Sequence, residues 1–280
     1  MPGRIKTETS ARSLLGEALT SPAASALRGT PFPLRAALER VQGTPQQLSV
    51  VTAYWRLAHA IATYHYALEE TNFVIGLPLQ PATRQQALLK AIHATARAAQ
   101  AEAYLAAIQM QHALAETAQL PGEALPVTVD SPFVGTYRTY FETLNSRGAV
   151  PARLERLDRT LPVLREVLDA HATAVGDTEA ALAELDAAYQ AGQVNLGAVL
   201  EFYERLRQAR RQFLGTVRDY NEAIALYALS MTGPGVLTPD RLVGMLVERP
   251  QTDHSVLTST RDSGIKRVSA DQPVGLPAPR

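Results

Sequence analysis

The chain has 280 residues, room for one or two domains, and its 27 Lys and Arg balance its 27 Asp and Glu. A formal net charge of zero argues against a dedicated nucleic-acid binder, whose affinity rests mostly on neutralised phosphates. Cysteine is absent, which excludes disulfides, thiolate nucleophiles and Cys-ligated zinc or iron–sulfur centres. The 46% hydrophobic content is enough for a sizeable core, and much of it is alanine, which suits closely packed helices.

Residues 1–30 are rich in Ser, Thr, Ala and Gly and read as a flexible N-terminal segment. A short helix is predicted over 33–41 (PLRAALERV). The first long helix spans about 45–70, with Val51, Trp55, Ala58, Ala62 and Leu68 marking one side. Gly76, Pro78 and Pro81 end that region, and a second long helix covers 82–119 until Pro121-Gly122 stops it. LPVTV, within 123–136, is a candidate short strand, and YRTYFETLNSR after it a short helix. A third long helix is predicted over 161–190, with Thr160 as N-cap and Pro162 in the first turn, where a missing N–H costs nothing. Gly192 breaks the chain before a fourth helix over 195–231, which Gly233-Pro234-Gly235 closes. Thr238 and Pro239 read as the cap of a last short helix to about 248. Residues 250–280 are polar with scattered Gly and Pro and read as a disordered tail, which leaves 31–249 as the helical domain.

The apolar spacing in the long helices is regular. In the third, steps of three and four visit Leu154, Leu157, Leu161, Leu164, Leu168, His171, Val175, Thr178, Leu182, Leu185 and Tyr189. In the fourth they visit Leu196, Val199, Tyr203, Leu206, Arg210, Phe213, Val217, Tyr220, Ile224, Tyr227 and Met231. A 3.5-residue repeat held this long implies antiparallel coiled-coil packing, folded back at Gly192, with Leu182 and Leu185 as partners for Phe213 and Tyr220. The second helix carries two such walks on opposite sides. One is Leu89, Ile92, Ala96, Ala99, Ala103, Ala106, Met110 and Ala113; the other is Ala91, Ala94, Ala98, Ala101, Leu105, Ile108, His112 and Ala115. Seams on both sides call for a neighbour on each, as inside a curved layer of helices; a plain Ala-rich helix with one solvated face gives the same residues.

The stretch 181–233 carries Tyr189, Gly192, Leu196, the pair Val199-Leu200, Ala209, Tyr220-Asn221, Ala223 and Gly233. In this order they resemble the C-terminal half-repeat of the TolC-like outer-membrane efflux family. The segment VVTAYWRLAHAIATYHYALEE (50–70) looks like the corresponding helix of the first half, and QLPGEALPV (119–127) like the connection after the next helix. The resemblance touches most of 45–233 and implies an all-α, TolC-like pair of helical hairpins with about four long helices. It implies a homo-oligomeric transport component of the cell envelope, at the periplasm or outer membrane, with envelope efflux partners and no cofactor. The chain departs from the family pattern in having Ala198 where an acidic residue usually precedes the Val-Leu pair, and in offering LPVTV alone toward a membrane barrel, which needs strands of about 9–11 residues.

The residues themselves assign packing roles here: Asn221 can bond backbone or a neighbouring helix, and Tyr220 and Tyr227 can stay in the seam with their hydroxyls at its edge. His65 and Glu69, four apart, could hold two sites of a metal; an ordinary solvated pair is the reading taken, and no metal is expected. His171 in its apolar seam could be pH-sensitive, and is read as a hydrogen-bonded core histidine. Arg205, Arg207, Arg210, Arg211 and Arg218 are flanked by Glu201, Glu204, Asp219 and Glu222, which reads as a salt-bridged solvated face rather than a site for an anionic partner. Glu69-Glu70 is placed on a solvent face. No phosphate-cradling loop, GxSxG or HExxH occurs, so no enzyme and no catalytic residue is expected. No apolar run approaches the roughly 18–20 residues of a membrane-spanning helix, and none near Met1 reaches the roughly 7–15 of a secretory signal. Read from Met1 alone the chain is expected to be cytoplasmic, and the alternative function is a soluble helical-bundle scaffold or interaction module.

Overall fold

In the computed structural model the described residues are 10–78, 83–121, 125–142, 146, 151–231 and 237–247. The chain divides at Glu248/Arg249. The unit up to Glu248 is described below; residues 249–280, read above as a tail, lie outside the described residues. The fold is predominantly all-α: helices α1 (Ala11–Leu19), α2 (Leu34–Leu38), α3 (Thr44–Gly76), α4 (Thr83–Thr117), α5 (Ala152–Gln190), α6 (Leu196–Ser230) and α7 (Pro239–Leu246), with two three-residue strands, β1 (Thr30–Phe32) and β2 (Pro126–Thr128). The strands pair in parallel, Thr30 with Pro126 and Phe32 with Thr128.

Four long helices form one layer in the order α4–α3–α6–α5. Cross-helix contacts fix the directions. Arg56 reaches Glu222 and Arg207 reaches Glu70, so α3 and α6 run antiparallel. His171 meets Thr216 and Glu179 meets Arg210 across α5 and α6, and Thr71 meets the Ala96 carbonyl across α3 and α4. The α3–α4 and α5–α6 hairpin turns therefore lie at the same end of the layer, and the Tyr189 hydroxyl donates to the Pro78 carbonyl between them (3.0 Å). α3 is the central helix. Val50, Tyr54, Trp55, Leu57, Ala58, Ile61, Tyr64 and Leu68 are buried around most of its circumference because it has neighbours on several sides.

The α5–α6 turn shows why Gly192 stands where it does. Its φ is +75°, the left-handed region that favours glycine. The Gly192 N–H donates to Tyr189 O (2.9 Å) and the Gln193 N–H to Ala188 O (2.9 Å), a Schellman closure of α5. Asn195 then caps α6 by accepting from the Ala198 N–H (3.1 Å).

Three local expectations are corrected. The segment 1–30 is not flexible throughout: residues 1–9 lie outside the described residues, but Ala11–Leu19 is a helix capped by Ser10. It buries Ala11, Leu14, Leu15 and Ala18 against α3, with support from α5. The third helix starts at Ala152, not 161; Pro162 lies inside it and the Thr160 hydroxyl donates to Arg156 O rather than capping. Burial of Leu154, Leu157 and Leu161 outweighs the roughly 3 kcal/mol that an interior proline costs. The short helix expected from Tyr137 is absent over Tyr137–Tyr140, because the Tyr137 and Tyr140 N–H groups donate to side chains of α6.

Phe213, fully buried, lies between the Thr216–His171 and Arg210–Glu179 contacts, level with Val175. Leu182 and Leu185, expected as its partners, sit farther toward the hairpin turn.

Candidate functional site

The motif residues of α5 and α6 fall into two groups. Tyr189, Gly192, Leu196, Val199 and Leu200 shape the hairpin turn: Tyr189, Leu196 and Val199 are buried and Leu200 is half-buried. Tyr220 and Asn221, on the far half of α6, hold the connection between α4 and α5. Asn221 pairs with both backbone groups of Phe133, accepting its N–H on Oδ1 (2.7 Å) and donating from Nδ2 to its carbonyl (2.9 Å). Tyr220 accepts from the Tyr137 N–H (3.0 Å) and donates to Gly135 O (2.9 Å), and Tyr227 accepts from the Tyr140 N–H (2.8 Å). The three side chains thus do for an extended strap what a neighbouring strand would do, satisfying buried backbone groups that carry a desolvation cost when unmade. Ala223 is half-buried beside them, and Gly233 lies outside the described residues.

Tyr54 of α3 does the same at the start of the strap. Its hydroxyl accepts from the Val129 and Asp130 N–H groups (3.1 and 3.2 Å) and faces Asp130 Oδ2 (2.8 Å) and Phe32 O (3.0 Å). Burial pushes its pKa far up, so the hydroxyl stays a donor. Asp130 Oδ2 also accepts from the Leu34 N–H (2.7 Å), capping α2, whose own N-cap is Pro33.

The second cluster is electrostatic and spans three helices. Arg207 of α6 pairs with Glu70 of α3 (3.2 Å) and Glu204 (2.7 Å), with 8% of its side chain and 11% of Glu70's exposed. Arg210 pairs with Glu179 of α5 (2.8 Å) and Glu69 of α3 (3.4 Å) and lies over the Tyr66 ring, 4.3 Å from its centroid. Burial raises the pKa values of Glu69 and Glu70, and the neighbouring arginines oppose that rise. The expectation of a solvated Glu69-Glu70 pair is therefore corrected for Glu70, which is enclosed between α3 and α6. The arginine-rich face is likewise only partly solvated. Arg205–Glu201 and Arg218–Asp219 are surface pairs, whereas Arg207 and Arg210 bridge helices through acids from α3 and α5, which spacing within α6 could not reveal.

The histidines are dispersed. His65 is buried, 3% exposed, and its Nδ1 donates to Ala18 O (3.0 Å) at the end of α1, so it is not a solvated partner of Glu69. His171 is half-buried with Nδ1 on the Thr216 hydroxyl (2.9 Å), the hydrogen-bonded packing residue expected. His93 bonds Val74 O (2.9 Å), His112 is exposed, and His254 lies outside the described residues. Among the described residues no three His, Asp or Glu converge as a metal site.

His59 lines an open groove over α3 with Arg56, Thr63, Met110, Arg218 and Glu222. Burial, then the Arg218 charge, lowers its pKa from 6.5 to about 4, while Asp219 acts the other way. The unfolded chain therefore takes up this proton first as pH falls, so the neutral His59 contributes stability that is lost between about 6.5 and 4. Glu69 and Glu70, with raised values, act with the opposite sign. His59→Gln should remove roughly 3 kcal/mol of acid-side loss across that window, read as a flatter pH dependence of the urea midpoint than in the parent chain. Equal slopes would show His59 to be hydrated.

These clusters bind backbone to side chain and helix to helix. What they leave open is surface: the side of α4 turned away from α3, where Ala91, Ala94, Ala98, Ala101, Leu105 and His112 are exposed. Of the two seams read in the second helix, the one through Leu89 and Ala96 faces α3 and the other faces solvent. No protein-family model matches the chain, and no curated protein or solved structure matches it.

Proposed function

We propose that the chain is a TolC-like efflux component of a cell envelope: a non-catalytic helical conduit that assembles from copies of itself around an axis and lets small molecules pass. The observation that carries this reading is the single layer of two antiparallel hairpins, the second formed by the Tyr189–Asn221 motif, with an apolar face of α4 left open at one edge. A layer whose edge helix has a second seam is suited to continuation by another copy, and a wall of helices around an axis encloses a passage. The reading asks no bond-making of the chain, only a lined path and envelope partners to hold it in place. No helix among the described residues is long and apolar enough to cross a membrane.

Native mass spectrometry of the purified chain at micromolar concentration, with fractionation of the native cell, tests this. A discrete oligomer and recovery with the envelope fraction are expected. A strict monomer recovered with no membrane fraction would overturn the proposal and leave a helical scaffold as the better reading.

A further inference from the structure

We infer that the exposed side of α4 docks against the exposed side of α5 of a second copy, head to tail and antiparallel, so that both edges of the layer are used in one repeated contact. The inference rests on the oligomeric reading above and specifies its interface. Both edges carry large apolar groups in water: Leu88 is 47% and Leu105 55% exposed on α4, and Val163 is 56% and Val167 37% exposed on α5. Among the described residues, four of the seven exposed large hydrophobic ones lie on these two helices, which concentrates the uncovered apolar surface at the edges.

The heights match. Thr71 meets Ala96, Glu70 meets Arg207, and Glu179 meets Arg210. Followed across the layer, these contacts place Leu105 of α4 level with Ala170 to Ala174 of α5, Val167 close to His112, and Val163 close to Ala115. A rotation about an axis along the helices keeps those heights, so Leu105 and Val163 meet small residues of the opposite helix, Ala174 and Ala115, and Val167 meets the exposed His112. α5 and α4 run in opposite directions, so the alternation of the layer continues across the contact.

Charge follows the same pairing. Toward the hairpin turns, α4 exposes Lys90 and Arg97 where α5 exposes Asp177 and Glu184. Toward the other end, α4 exposes Glu116 where α5 exposes Arg156 and Arg159. Glu102, close in height to Asp177, and Glu166, close in height to His112, are acids out of this pattern, and Asp169 is paired within α5 to Arg165. An α4–α4 contact between two antiparallel copies would also pair Lys90 with Glu116, but it would leave Val163 and Val167 of both copies in water. The α4–α5 contact covers both patches, and being heterologous it closes a ring or extends a filament instead of stopping at a dimer.

The absence of cysteine makes the test clean. Two differently tagged variants, Leu105→Cys and Ala174→Cys, are mixed, reassembled and oxidised. Cross-linking is expected in the mixture and not in either variant alone, and the double variant should give a ladder of covalent multimers. Arg97→Glu should weaken association about fivefold and Glu184→Arg in the same chain should restore it, because the pair is exposed and modest in strength. An oligomer in which Leu105→Cys cross-links to itself, or in which the mixture gives nothing, would overturn this interface while leaving the oligomeric conduit standing. A chain that stays monomeric throughout would overturn both.

Discussion

Phe213→Ala should destabilise the protein by about 3–5 kcal/mol, while Gln212→Ala, one residue away, should change stability by less than about 0.5 kcal/mol. Phe213 has no exposed surface and sits in the α5–α6 seam level with Val175, between the His171–Thr216 and Glu179–Arg210 contacts. Those two cross-helix bonds hold α5 and α6 at fixed spacing on either side, so the seam has little freedom to close over a missing ring, and the cavity cost adds to the lost transfer energy. Gln212 points its side chain to water. For a folded unit of this size the Phe213 substitution should lower Tm by about 6–20 °C, read by thermal circular dichroism, and the Gln212 variant should overlay on the parent. Equal behaviour of the two would mean that the register of the α5–α6 pair is wrong.

Arg207→Ala should cost about 3 kcal/mol, and the double variant Arg207→Met, Glu70→Leu should recover most of it. The guanidinium is enclosed with Glu70, whose carboxylate already has its pKa raised by burial. Removing the cation leaves Glu70 with too little water around it and only the more distant Arg210 and Arg211 charges to oppose its burial, which is a larger penalty than the net worth of the pair. Replacing both partners by apolar groups of similar bulk removes that penalty, so the cycle separates the cost of an orphaned charge from the value of the bridge. The single variant also has a pH signature. Glu70 without its cation takes up a proton more readily in the folded than in the unfolded state, so the cost shrinks as pH falls toward the ordinary carboxylate range. Urea unfolding at pH 7 and pH 5 measures both; a cost independent of pH would assign the loss to the guanidinium lying over Tyr203, its carbon 5.6 Å from the ring centroid, instead of to Glu70.

The long helices were legible because apolar residues recur at helical spacing between clear stops, as one stripe in α5 and α6 and around most of α3; the walk from Leu196 to Tyr227 is buried at every position but Arg210. The start of α5 is ambiguous in the sequence for a reason of the same kind. The Leu154–Leu157–Leu161 walk points to an earlier start, but a threonine followed by proline two residues on is also a good helix opening, and burial of the walk overrides that local capping chemistry. The α1 helix was hidden by its Ser- and Ala-rich surroundings, although Ser10 before Leu14, Leu15 and Ala18 is a cap ahead of an apolar face. Glu70 and Glu179 could not be assigned to Arg207 and Arg210, because periodicity sees neighbours within a helix and these acids arrive from other helices. The strap from Phe133 to Tyr140 was least legible: its backbone partners are side chains 83 to 88 residues away. The tyrosines and asparagine were visible as edge residues of the seam, but nothing near them in sequence says what they hold.

That strap also constrains the order of assembly during folding. Between β2 and α5 the chain has no ladder of its own among the described residues, and its amides at Phe133, Tyr137 and Tyr140 are satisfied only by α6. The α3–α4 and α5–α6 hairpins are local and can close early, each needing only a short connection. The strap should not settle over its whole length until α6 has come to rest against α3, since Tyr54 of α3 holds its start and α6 the remainder. Its amides should therefore exchange faster than those of the long helices whenever α6 moves, which makes the connection between the hairpins a reporter of whether the two halves of the layer are joined.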